Sequence, residues 1–257
     1  MVEALFWPAL LGYGEAAIAY ASLRTARAGT WGVRLGWLAQ SALLAVQADR
    51  ADGFPWASWS GSLNLFVWFV VGFYLIWGCR PRFRLLGLAV MPVAFVLLVA
   101  ARLGGGTGLA HAAGKAPPYG NLFLVLHVGF VLAAFAGFTV AAGLAGLYLW
   151  EERRLKQRSA DILRLRLPPL DSLERLARRT IAVSLPLLTL GLAAGIVRMR
   201  RDGDGLDALE VLTLGAWALY GSFVLARPTG RRAAYLALGG FALVALARLA
   251  LAGSHFA

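Results

Sequence analysis

The sequence has 257 residues, of which 60% are hydrophobic and only 15% are charged, and its mean hydropathy is +0.68. Water could not wet so apolar a surface, so the composition excludes a soluble domain and predicts an integral membrane protein. The net charge of +12 would suggest nucleic-acid binding in a soluble protein, but here the basic residues concentrate between apolar runs, where they set orientation, and we expect no nucleic-acid partner.

Apolar runs that are long enough to cross the hydrocarbon core of a lipid bilayer recur eight times. In chain order, the predicted spans are residues 3–24, 32–49, 61–79, 84–102, 120–150, 177–198, 208–226 and 232–253. We therefore predict an all-α fold, a polytopic membrane helix bundle with eight transmembrane helices. It should form a single integral membrane domain over residues 1–257.

Lys and Arg are unevenly divided between the two sides of this predicted topology. The connections after the first, third, fifth and seventh spans hold 18 of them, whereas the other side holds six. Because basic residues accumulate in cytoplasmic loops, we expect both termini to lie outside, with the chain in the inner (cytoplasmic) membrane of a bacterium. The longest cytoplasmic connection, residues 151–179, breaks at Pro168-Pro169 and should resume as a helix with Asp171 as its N-cap.

Two external connections have a distinctive composition. Residues 51–61 place Trp56 and Trp59 at the depth that indole rings favour, either as an aromatic belt or as a rim for a flat apolar ligand. Residues 103–119 are rich in Gly and Pro, so we expect a mobile loop.

Two charged residues lie within predicted spans, where a charge is costly. Glu15 is midway along the first span and Arg248 is inside the eighth. One interpretation is that they pair with each other inside the bundle. The other is that Arg248 serves His255, which follows it by two helical turns and shares its helix face.

The three histidines are the most informative polar residues. His111 lies in the external loop, His127 in the outer half of the fifth span, and His255 just past the outer end of the eighth. A lone histidine in a membrane helix usually bonds to a neighbouring helix, but two at similar depth could supply both axial ligands of a haem iron. Zinc is a poorer candidate, because no Cys, Asp or Glu cluster completes a tetrahedral set. The expected cofactor is haem b, and four arginines could neutralise its propionates: Arg198, Arg200, Arg201 and Arg248.

Several short motifs occur in a fixed order along the second half of the chain. They are His127-Val128, Tyr148-Leu149, the ERRLK run at 152–156 and the LPPLDSLE run at 167–174, and the chain ends with His255. This series resembles the cytochrome c assembly family of membrane haem-handling proteins, and within it the eight-helix HemX and CcsA-like branch. The resemblance is strongest over residues 120–257, and the first four spans are similar only in number and layout.

The loop between the sixth and seventh helices departs from the family pattern. Family members carry a tryptophan-rich external loop there, which is expected to form the platform for haem. In this chain Asp207 and Glu210 fall on the acidic positions of that loop, counted back from Trp217, but the other tryptophans, the proline and the lysine are missing. The resemblance implies that Asp207 and Trp217 contribute to the haem site, with His127 and His255 as ligands of the haem iron.

We therefore expect a membrane protein that is not an enzyme and that holds haem near its external face between His127 and His255, in cytochrome c assembly or haem traffic. A cytochrome c assembly component would then be its protein partner. The alternative is a HemX-like regulator of tetrapyrrole synthesis, whose cytoplasmic connection, residues 151–179, would bind glutamyl-tRNA reductase. A permease or a quinone-linked b-type cytochrome is less favoured, because the cytoplasmic half has no histidine and we find no internal repeat.

Overall fold

The computed structural model describes residues 2–22, 26–51, 53–78, 84–109, 122–157, 168–202 and 208–250. All the regular structure in these residues is helical, which confirms the all-α prediction. A π-helical turn, Tyr74–Gly78, continues the third helix. The eight α-helices of the described chain are α1 (Val2–Ala21), α2 (Ala26–Arg50), α3 (Trp59–Phe73), α4 (Arg84–Leu103), α5 (Leu122–Lys156), α6 (Leu170–Asp202), α7 (Ala208–Ala226) and α8 (Gly230–Ala250).

Four stretches of the described helices are long and apolar enough to cross a membrane. They are Trp59–Ile76, Leu85–Leu103, Leu122–Lys156 and Leu170–Arg200, and a shorter apolar helix lies at Glu210–Ala226. A chain with several such helices is a multi-pass membrane protein. The full count of eight spans, the single domain and the external position of both termini stay predictions.

Helix α5 is the central element of the bundle and packs against α3, α4, α6 and α8. Its 35 residues correspond to about 50 Å at 1.5 Å per residue, which exceeds a hydrocarbon core of about 30 Å. It therefore extends past the predicted end at residue 150 and carries its basic residues beyond the core. Small residues on all sides of α5 allow neighbouring helices to pack around it.

Helices α5 and α6 form the most extensive contact in the bundle. They approach each other closely because glycines face bulkier groups across the interface. A Cβ on Gly137 would collide with the Ser184 hydroxyl, and a Cβ on Gly191 would lie 2.7 Å from the Val131 side chain. The glycines thus fix the distance between the two helices.

Two apolar cores lie on different sides of α5. One joins α1, α3 and α4 to residues such as Val140 and Leu144. The other joins α5 to α6, α7 and α8, and at its centre the rings of Phe138 and Tyr220 stack with centroids 3.8 Å apart. The Tyr220 hydroxyl also donates to the Ala237 carbonyl at 3.1 Å, which connects α7 to α8.

The start of α6 corrects the N-cap prediction. The helix begins at Leu170, and the Pro169 carbonyl accepts from the backbone N–H of Ser172 at 2.8 Å. Asp171 consequently lies inside the first turn, where it pairs with Arg175, so its prediction as the N-cap is wrong. A proline beside the first turn fits this start, because its ring presets the helical φ and it has no N–H to satisfy.

Glu15 and the external loop also differ from expectation. The Glu15 side chain is exposed on the outside of α1, so the interpretation that it pairs inside the bundle is wrong.

The first part of the predicted mobile loop is anchored by side chains from α2 and α3. Ser60 donates to the Gly104 carbonyl at 2.8 Å, and Gln47 donates to those of Gly106 at 3.1 Å and Gly108 at 2.8 Å.

Candidate functional site

His127 lies in the second turn of α5, and its ring rests against the backbone of α6. The Nδ1 atom is 2.8 Å from the carbonyl oxygen of Gly191, which is 64 residues further along the chain. This contact can form because Gly191 and Gly195 present no side chains to α5. The ring is thus held between two helices.

The partner of Nδ1 determines the protonation pattern of the His127 ring. A backbone carbonyl can only accept a hydrogen bond, so Nδ1 must carry the proton. In the neutral ring the lone pair then belongs to Nε2. A hydrogen bond from one ring nitrogen to a carbonyl is the arrangement that orients histidines whose other nitrogen ligates a metal.

Gly195 is the residue that makes room for this ring. A Cβ at position 195 would lie 2.6 Å from His127 Nδ1 and 2.9 Å from its Cε1 atom, closer than real Cβ contacts come. The sequence analysis did not identify Gly191 and Gly195 as part of the site. The spacing of two glycines four residues apart in a membrane helix was the signal that a partner approaches there, but it did not identify the partner as the histidine.

Arg198 follows Gly195 by three residues and therefore lies on the same side of α6, one turn nearer its end. Its side chain is half-buried. A cation therefore lies on the helix face that holds His127, and its role towards a haem propionate stays a prediction.

Trp217 takes a different position from the one expected. Its Nε1 donates to the Thr189 hydroxyl at 2.9 Å. Thr189 and Gly191 are two residues apart on α6, which separates them by about 200° around the helix. Trp217 and His127 therefore contact different faces of α6, and the structure does not bring them together.

An aromatic cluster on the N-terminal half adjoins the same end of α5. Val128 and Leu132 belong to an apolar group with Trp56, Trp68 and Phe69. Trp56 is half-buried in this group, and its Nε1 is buried without a partner in the described part of the chain. Sequence reasoning suggested only Trp56 and Trp59 as a rim, because the pairing of α3 with α5 brings the other rings in from distant positions.

Several other residues named in the sequence analysis cannot be placed. His255, Asp207 and His111 lie outside the described residues, as does the side chain of Arg248. Within the described ranges no group of three or more His, Cys, Asp or Glu residues is arranged to hold a metal ion. The described part of the site therefore consists of His127, its two glycines and Arg198, with the aromatic cluster on the neighbouring face of α5.

The chain is similar to proteins of a known family. A family model described as cytochrome C assembly protein matches residues 56–254. The match begins well before residue 120, so it includes α3 and α4, for which the sequence resemblance had given only a similar layout.

Three relatives named cytochrome c biogenesis protein CcsA cover most of the chain. Those from Guillardia theta and Microcystis aeruginosa are both 25% identical, over 79% and 84% of this chain and 74% and 81% of their own. That from Synechococcus elongatus is 25% identical over 94% of this chain and 89% of its own. These names give no support to the regulatory alternative with glutamyl-tRNA reductase. Since the family model matches more than half of its length, the chain belongs to the cytochrome c assembly protein family.

Proposed function

We propose that this chain holds haem b near its external face in the service of cytochrome c assembly, with His127 as one axial ligand of the iron and His255 as the other. The observation that carries the proposal is the hydrogen bond between His127 Nδ1 and the Gly191 carbonyl. It assigns the lone pair to Nε2 and holds the ring in one orientation, which is what ligation of a metal requires.

The residues around His127 fit a haem. The cation of Arg198 is suited to a propionate, and the apolar cluster beside Val128 is suited to the edge of a porphyrin. When bound, haem supplies an iron that accepts two imidazole nitrogens. In this proposal the chain is not an enzyme: its residues bind the cofactor, orient it and limit the access of water to it. An assembly component of the same membrane would be the partner.

Absorption spectra of the purified protein test the iron ligands. The full chain in detergent, supplied with haem, should give a six-coordinate low-spin spectrum when oxidised and when reduced. His127→Ala and His255→Ala should each lose that spectrum, because each removes one axial ligand. His111→Ala is the matched control and should keep it. Unchanged spectra in both of the first two variants would overturn the assignment.

The proposal also places the haem outside the cytoplasm, because the predicted topology puts both termini and the outer end of α5 there. Alkaline phosphatase folds only after export, so fusions to the N-terminus and the C-terminus should both be active in a bacterial host. A fusion within residues 158–167 should be inactive. The opposite pattern would place His127 on the cytoplasmic side.

A further inference from the structure

Glu15 is a carboxylate on a face of the bundle that is otherwise apolar. It lies in the second half of α1, and its side chain is exposed. Leu11 and Ile18, one turn before and after it, are 65% and 74% exposed. In the described part of the chain no hydrogen bond or ion pair reaches this carboxylate.

The depth of Glu15 follows from its neighbour in the sequence. A Cβ on Gly14 would lie 3.2 Å from the ring of Phe95 on α4. Phe95 is close to the middle of Leu85–Leu103, one of the helices that are long and apolar enough to cross a membrane. Glu15 therefore lies at the level of the middle of α4, and the predicted first span puts it inside the bilayer, where a charged side chain is costly.

Helix α2 extends the apolar surface around this carboxylate. Glycines bring α1 and α2 into backbone contact: a Cβ on Gly32 would lie 2.9 Å from the Gly12 carbonyl oxygen and 3.6 Å from a carboxylate oxygen of Glu15. On either side of Gly32, Trp31 and Leu35 are each 60% exposed. The carboxylate thus lies beside the seam between two helices that both present large apolar side chains outward.

Lipid explains the exposed apolar side chains but not the carboxylate, because acyl chains offer no hydrogen-bond donor. A second copy of this chain that used the same face would bring another carboxylate to the first. We propose that the α1–α2 face binds a transmembrane helix of another membrane protein, and that this helix carries a Lys or Arg side chain opposite Glu15. The proposal does not depend on haem binding.

Photo-crosslinking in native membranes tests the occupant of this face. Benzoylphenylalanine is placed at Leu11 or Ile18 of the full chain, with Leu246 on α8, which is 64% exposed, as the matched control. Both α1 positions should give the same protein adduct and the control should not. The crosslinked peptide should lie in an apolar segment that contains Lys or Arg.

Charge reversal distinguishes a specific ion pair from simple proximity. Glu15→Leu, which the bilayer tolerates, should lower the adduct yield about tenfold because one interhelical polar pair is lost, which corresponds to about 1.4 kcal/mol. Glu15→Lys should abolish the adduct, and a Glu in place of the partner's basic residue should restore it. An adduct with a second copy, adducts with lipid alone, or an unchanged yield in Glu15→Leu would each overturn the proposal.

Discussion

The two halves of the bundle satisfy their buried polar groups in different ways. In the N-terminal half, amide side chains bond between helices: Asn64 on α3 bonds with Gln40 and Gln47 of α2, at 2.9 Å and 3.1 Å. In the C-terminal half, the buried hydroxyls of Thr180 and Ser184 donate to carbonyls four residues back in their own helix. Amide side chains thus connect α2 to α3 in the first half, whereas the close contact of α5 with α6 in the second half depends on glycines.

This difference bears on function. A network in which every amide is satisfied specifies one arrangement of helices and resists displacement. Glycines set the distance between α5 and α6, and the His127 ring bonds across that contact to the Gly191 carbonyl. The N-terminal half is thus suited to be a rigid support and the α5–α6 pair to present a ligand.

The strongest test of the comparison is to break the network at its centre. Asn64 is fully buried, and Asn64→Leu would leave the buried Oε1 atom of Gln47 without its donor and remove one acceptor from the Gln40 amide, at a cost of about 3 kcal/mol in the free energy of unfolding. Thermal unfolding in detergent should show a clearly lower midpoint. The matched control is Thr139→Val, because Thr139 donates only to the Phe135 carbonyl of its own helix and should have little effect. Equal effects would remove the distinction between the halves.

A smaller effect, and one on binding more than on folding, is expected from Gly195→Ala. The new Cβ would collide with the His127 ring, so the ring must turn away from Gly191 at a cost of about 1 to 2 kcal/mol. Haem affinity measured by titration should fall about tenfold. Gly129→Ala is the control: it lies two residues from His127, nothing approaches within 4 Å of its Cβ position, and affinity should not change. A tenfold loss in both variants would indicate general damage to α5.

The smallest effect concerns the end of the C-terminal half opposite His127. Glu174 accepts from Arg178 at 2.8 Å and from the Gly230 backbone N–H at 3.0 Å, so it connects α6 to the start of α8. Glu174→Gln should lower the free energy of unfolding by about 1 kcal/mol, because a charged acceptor is lost at a helix N-terminus. Asp171→Asn breaks only an exposed pair with Arg175 and should be neutral. The same loss in both variants would show that charge alone matters there.

The sequence predicted the helical class and the approximate positions of the described helices, whereas the role of His127 as a ligand stays a prediction. These features depend on local patterns: apolar runs of sufficient length and a histidine within one of them. The start of α6 was missed because an acidic residue after two prolines is typical of an N-cap as well as of a first turn.

Local sequence patterns could not predict hydrogen-bond partners that are far apart in the chain. The acceptor for His127 is a backbone carbonyl, which leaves no mark in the sequence except the absence of side chains at Gly191 and Gly195. The same holds for Asn64, whose amide reads as an isolated polar residue in an apolar run. Its partners on α2 become visible only when the helices are packed.

The identity of the His127 acceptor has a consequence for how the chain can vary. A side-chain acceptor such as a carboxylate can be deleted by one substitution, whereas the Gly191 carbonyl belongs to the main chain and survives every substitution at that position. Only the bulk of the residues at 191 and 195 can disturb it. The orientation of His127 therefore depends on small residues at positions 191 and 195 and not on the chemistry of an acceptor side chain.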